Sequence, residues 1–114
     1  NLFQIWILTD RPGAPPSWGT KSFPKADRAG AFVTLASGFE EDADALPINA
    51  AARVMGATLK AGETAHVTLD PTRHAYLVGA GGAIEVNGRR AEPRDGVAVT
   101  GAAELEVAAL EDAE

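Results

Sequence analysis

His66 and His74 are the side chains of this sequence that can act as imidazole ligands or as acid–base groups near neutral pH. They lie eight residues apart on what read as neighbouring strands, so the pattern lets them approach each other. Two imidazoles make a poor transition-metal site, because a catalytic zinc or iron centre takes three protein ligands and keeps a position open. Glu63, Glu104 or Glu106 would supply the third, yet no spacing demands any of them. Histidines set in a partly buried polar pocket are the simpler reading, and His66, His74, Tyr76 and Glu104 are its candidate lining.

Other chemistries have less to work with. There is no cysteine, hence no thiolate nucleophile, no disulfide framework and no thiolate metal site. Ser17, Ser22 and Ser37 all fall in loops, and no Gly-x-Ser-x-Gly elbow is present. Gly79-Ala80-Gly81-Gly82 lacks the Gly-Lys-Ser/Thr ending and the following helix of a phosphate loop, so it reads as a β-turn. Glu40, Glu41, Asp42 and Asp44 form an acidic run without the spacing of a calcium loop, which makes a solvated loop. Trp6, Trp18 and Tyr76 would line a flat aromatic pocket, although core and rim packing is the plainer role for them.

The elements that must hold these residues are short. Ala75–Val78, Ala83–Val86 and Gly96–Val99 are apolar runs separated by Gly79–Gly82, Asn87-Gly88 and Asp95-Gly96. Asn-Gly is the turn pair of a type I′ hairpin, since both positions need φ > 0. The three runs are therefore expected to form an antiparallel meander. Upstream, Leu2–Leu8 (LFQIWIL) reads as a buried strand and Thr9–Trp18 as a proline-broken loop. Ala31–Leu35, Leu46–Asn49, Arg53–Leu59, Ala65–Leu69 and Glu104–Leu110 are further strand candidates. Pro47 puts its strand on an edge, Gly56 marks a bulge or close approach, and Ala50–Arg53 is expected to make one helical turn. Turns at roughly 8–12 residue spacing suit an all-β sandwich, jelly roll or barrel.

Composition narrows the partners. A chain of 114 residues is one domain by length, and its 46% apolar content is that of a globular protein. A formal net charge of −6 argues against nucleic acid and anionic membranes. Arg89, Arg90 and Arg94 are diluted by Glu92 and Asp95. The longest apolar run is too short to span a bilayer, and the absence of cysteine fits a cytoplasmic protein. The sequence starts at Asn1 and enters strand-like residues at once, as a piece of a longer protein would.

LFQIWI (Leu2–Ile7), the block Leu46–Val54 and the long stretch Ala57–Val99 resemble the C-terminal half of pirin-like bicupin proteins, a family with members described as quercetin 2,3-dioxygenases. The resemblance implies a cupin fold, a double-sheet jelly-roll β-sandwich spanning residues 1–114. It also implies an N-terminal cupin, outside this chain, where three histidines and a glutamate hold an iron-like divalent metal. The cupin His-x-His pair is missing here. With Gly82 as the closing glycine of the first cupin motif, its glutamate falls on Ala75 and its second histidine on Asp70 or Pro71. With Gly81 in that place, the glutamate position becomes His74, and the histidine of the second motif falls near Glu104. The implied reading is a C-terminal cupin without metal or catalytic residues, serving structure and interdomain packing. A metal-free pocket for a flavonoid-like ligand, or a protein-interaction module, is the alternative. Trp6 and Trp18 would then form an interface with the N-terminal half or, by self-association, with a second copy.

Overall fold

The computed structural model describes residues 2–114. Nine strands carry the fold: β1 (Val33–Ser37), β2 (Leu46–Pro47), β3 (Arg53–Gly56), β4 (Thr64–Thr68), β5 (His74–Val78), β6 (Ile84–Val86), β7 (Arg89–Ala91), β8 (Gly96–Thr100) and β9 (Glu104–Ala109). A single 3₁₀ turn, Lys25–Arg28, is the helical element among the described residues. The all-β expectation therefore holds. Ala50–Arg53 does not turn into a helix; it bends, with Ala52 N–H donating to Ala50 C=O, straight into β3.

The strands pair in the orders β2-β1-β3, β4-β9-β6-β7 and β5-β8. Alternation decides which side chains go inward. On β9, Leu105, Val107 and Ala109 are buried while Glu104 and Glu106 face solvent. Ala65 of β4, Ile84 and Val86 of β6, and Ala91 of β7 join them, closed by Leu59 and Ala113. Each large aliphatic buried this way contributes about 1.5–3 kcal/mol relative to exposure. Leu77 of β5 with Val97 and Val99 of β8 packs onto this cluster from the ribbon, giving two facing layers with an aliphatic interior.

The hairpin at Asn87-Gly88 forms as its turn pair demands, with φ of 48° and 81°. Its second strand is Arg89–Ala91, a polar edge strand, so the expected meander is overturned. β5 pairs instead with β8, His74 opposite Thr100 and Val78 opposite Gly96, and β6 takes β9 as its other neighbour. Long-range pairing fills the hydrogen bonds that a meander would have closed locally. Pro47 does lie on an edge, on β2. The bulge falls on β1, between Thr34 and Ala36, and Gly56 is the close approach: a Cβ there would meet Leu35 Cδ1 at 3.1 Å.

Leu2–Leu8 is not a buried strand. It adopts no regular secondary structure and has no ladder partner, and Leu2, Trp6 and Leu8 are 94%, 87% and 93% exposed. Its β-rich composition is real, but this chain offers it no sheet edge and no second layer. Core packing for Trp6, Trp18 and Tyr76 fails, and so does a shared aromatic pocket. All three stand in solvent.

Candidate functional site

β4 and β9 run antiparallel with His66 opposite Glu106 and Thr68 opposite Glu104. Their outward residues therefore gather on one face. His66 Nδ1 lies 2.8 Å from Glu104 Oε1 and 3.7 Å from Glu106 Oε2, with all three side chains about half exposed. Asn87 fixes the glutamates' backbone: its side chain accepts from Glu106 N–H at 2.7 Å and donates to Glu104 C=O at 3.1 Å.

His74 belongs to the other layer. Its Nδ1 meets Thr100 Oγ1 at 3.1 Å across the β5–β8 pair. Tyr76, two residues on and on the same face, lays its ring over Gly96, where an added Cβ would come within 2.1 Å of its hydroxyl. The expected approach of His66 to His74 does not occur, because β4 and β5 pair with different strands. Of the candidate pocket, the structure brings His66 to Glu104. It sets His74 and Tyr76 on a separate sheet, and all four side chains point outward.

The positions that the cupin motifs assign to metal ligands hold no matching donor set. Ala75 faces inward with a methyl group, beside Leu77 and opposite Val99. Asp70 is spent in its own turn, accepting from Thr72 N–H at 2.8 Å and Thr72 Oγ1 at 2.7 Å, and these bonds hold its carboxyl below the usual range. His74 and Glu104 face away from the interior. Glu63, the other carboxylate considered, accepts from Lys60 N–H at 2.9 Å. Among the described residues no three His, Asp or Glu side chains converge as metal ligands.

Two open clefts mark the surface. One of about 350 Å³ lies between the proline-rich loop (Arg11, Pro15, Pro16) and Pro47–Asn49. The other, about 430 Å³, lies between Gly81-Gly82, Lys60 and Glu114. Neither contains His66, His74, Tyr76 or Glu104. Beside the second, Glu114 receives Lys25 Nζ at 2.7 Å and Arg28 at 3.1 Å, and these cations, Lys25 first, lower its pKa.

The acidic run is structured rather than merely solvated. Asp42 Oδ2 accepts from Ser37 Oγ and from Arg53 Nε, each at 2.5 Å, and Glu41 takes Arg53 Nη2 at 3.0 Å. The Ser37 bond, then that from Arg53, hold the Asp42 carboxyl below its ordinary value. Phe39 lies under the Arg53 guanidinium at 4.3 Å and the Arg73 guanidinium at 5.3 Å. Strand pairing of β1 with β3 makes this clamp, and no local spacing announces it.

Large apolar side chains also stand exposed near the start of the chain. Leu2, Phe3, Ile5, Trp6, Ile7, Leu8 and Trp18 all stand at 42% exposure or more.

Residues 34–114 match the family described as the quercetinase C-terminal cupin domain. Over its whole length the chain is 58% identical to a pirin-like protein of Caulobacter vibrioides. It is 59% identical to a Pseudomonas aeruginosa protein named provisionally as a quercetin 2,3-dioxygenase. The chain spans about half the length of these curated relatives, 49% of each. The crystal structure of YhhW from Escherichia coli superposes with a TM-score of 0.84 at 18% identity, covering 95% of this chain and 44% of that one. The same bacterial pirin, solved in complex with nickel(II), aligns equally well. At that identity the likeness is one of fold, and the fold is the cupin sandwich.

Proposed function

The chain belongs to the quercetinase C-terminal cupin domain family, as the C-terminal cupin half of a pirin-like protein, and from that premise we propose that this half is metal-free and structural. It forms one cupin unit over residues 1–114 and packs against an N-terminal cupin half of the same protein. That other half carries the iron-like divalent metal and any dioxygenase chemistry. The observation that carries this reading is the donor set: the inward ligand position holds Ala75 among aliphatic neighbours, and the polar candidates face solvent. Relatives about twice as long as this chain leave room for such a half. The exposed Leu2–Leu8 segment and Trp18 are the surface it would cover, since apolar patches of this size mark interfaces.

The test mixes the N-terminal half, expressed separately, with this chain. A stable complex is expected, with the fluorescence of Trp6 and Trp18 shifting to shorter wavelength as they leave water. Metal and flavonol-oxidising activity should stay with the N-terminal half. No complex at micromolar concentrations, or activity that tracks His66 or His74 of this chain, would refute the proposal.

A further inference from the structure

The Leu2–Leu8 segment has the make-up of a strand and lacks a sheet. Both of its alternating faces are apolar: Leu2, Trp6 and Leu8 on one, Phe3, Ile5 and Ile7 on the other, with Gln4 as the single polar residue. That is the pattern of a strand buried on two sides rather than an edge strand with one wet face. Among the described residues 2–9 no backbone group has a hydrogen-bond partner; the first such bond is Asp10 N–H to Asn49 C=O, at 2.9 Å. An uncharged row of free N–H and C=O groups is a template for pairing.

The same chain has a sheet that lacks a strand. β5 and β8 form a two-stranded ribbon, and among the described residues neither outer edge carries a backbone bond from another element. Ribbons of two strands are marginal by themselves. The other edges are guarded. Pro47 removes a donor from β2, Arg89 and Arg90 charge β7, Arg53 opens β3, and Glu104 and Glu106 flank His66 beside β4. HAYLV and GVAVT, the strands of the ribbon, contain no Asp, Glu, Lys or Arg. An uncharged donor matches an uncharged, unguarded edge.

We infer that Leu2–Leu8 is a donor strand, and that in this chain by itself it adds to the open β5–β8 ribbon of a second copy. The exchange is reciprocal and two-fold, so each copy gives one strand and receives one, and the assembly closes as a dimer. The inference rests on the reading above that this segment is an interface, and specifies that main-chain pairing, beyond side-chain packing, makes it.

The experiment uses the 114-residue chain in sedimentation and amide hydrogen exchange. A concentration-dependent dimer is expected, with alternate amides of residues 3–7 and the outer amides of one ribbon strand, β5 or β8, protected in the dimer and released on dilution. Successive amides of a strand point to opposite edges. Gln4→Pro and Ile5→Pro should therefore differ, the more disruptive one weakening dimerisation at least tenfold. Neither touches the folded sandwich, which unchanged far-UV dichroism would verify. A dimer weakened by Trp6→Ser but by neither proline, with residues 3–7 exchanging freely, overturns strand addition while leaving the interface reading intact. A monomer at every concentration also overturns it. The interface reading itself fails only if the N-terminal half does not bind in trans.

Discussion

Asp42 shows how one residue's setting turns composition into stability. Its carboxyl, ordinarily titrating near 3.8, is held lower by Ser37 and then by Arg53. A depressed folded value means the clamp contributes fully above the ordinary one, and its contribution is lost as pH falls through the folded value. Asp42→Asn should therefore lower the melting temperature at pH 7, and its deficit against the wild type should shrink in acid below 3.8. Melts across that range check it, and a deficit that persists undiminished at low pH would contradict the clamp. Gly38, next to Ser37, is tighter still: a Cβ would sit 1.6 Å from Ala50 C=O. Gly38→Ala should cost about 3 kcal/mol, the upper end of overpacking, in urea unfolding.

At the scale of elements, Asn87-Gly88 does more than turn the chain. Asn87 adopts φ 48°, and its side chain extends the β6–β9 ladder onto Glu104 and Glu106. Asn87→Ala removes two hydrogen bonds and puts a β-carbon residue without local compensation in the left-handed region. A loss of about 2 kcal/mol is expected, measurable as a lower urea midpoint with unchanged slope. Because Glu104 and Glu106 flank His66, the same substitution should loosen the His66–Glu104 contact, visible as a changed His66 ring resonance. Loss of under half a kcal/mol would reduce Asn87 to a turn former.

For the whole molecule, the interior decides the chemistry. Ala75 lies between Leu77 and its cross-strand partner Val99, and the metal-free reading proposed above makes a direct prediction from that apolar setting. The purified chain, dialysed free of chelator, should hold far less than one iron, zinc, nickel or manganese per chain by mass spectrometry. His74→Ala should change nothing in that measurement. About one metal per chain, lost in that variant, would place a metal site here after all.

The all-β class, the Asn87-Gly88 hairpin, the inward face of β9 and the edge placement of Pro47 were legible in the sequence. Each depends on local geometry: a turn that needs positive φ, a two-residue alternation, a missing N–H. What β6 pairs with, which sheet His66 and His74 each join, and how Arg53 reaches Asp42 were decided only by tertiary structure. Strand partnership is a long-range choice, and apolar runs such as Ala75–Val78 and Gly96–Val99 fit many neighbours equally well by pattern. Leu2–Leu8 marks the limit most clearly. Its composition specifies a strand buried on both sides, but burial needs a second surface, and the folded sandwich places none against it.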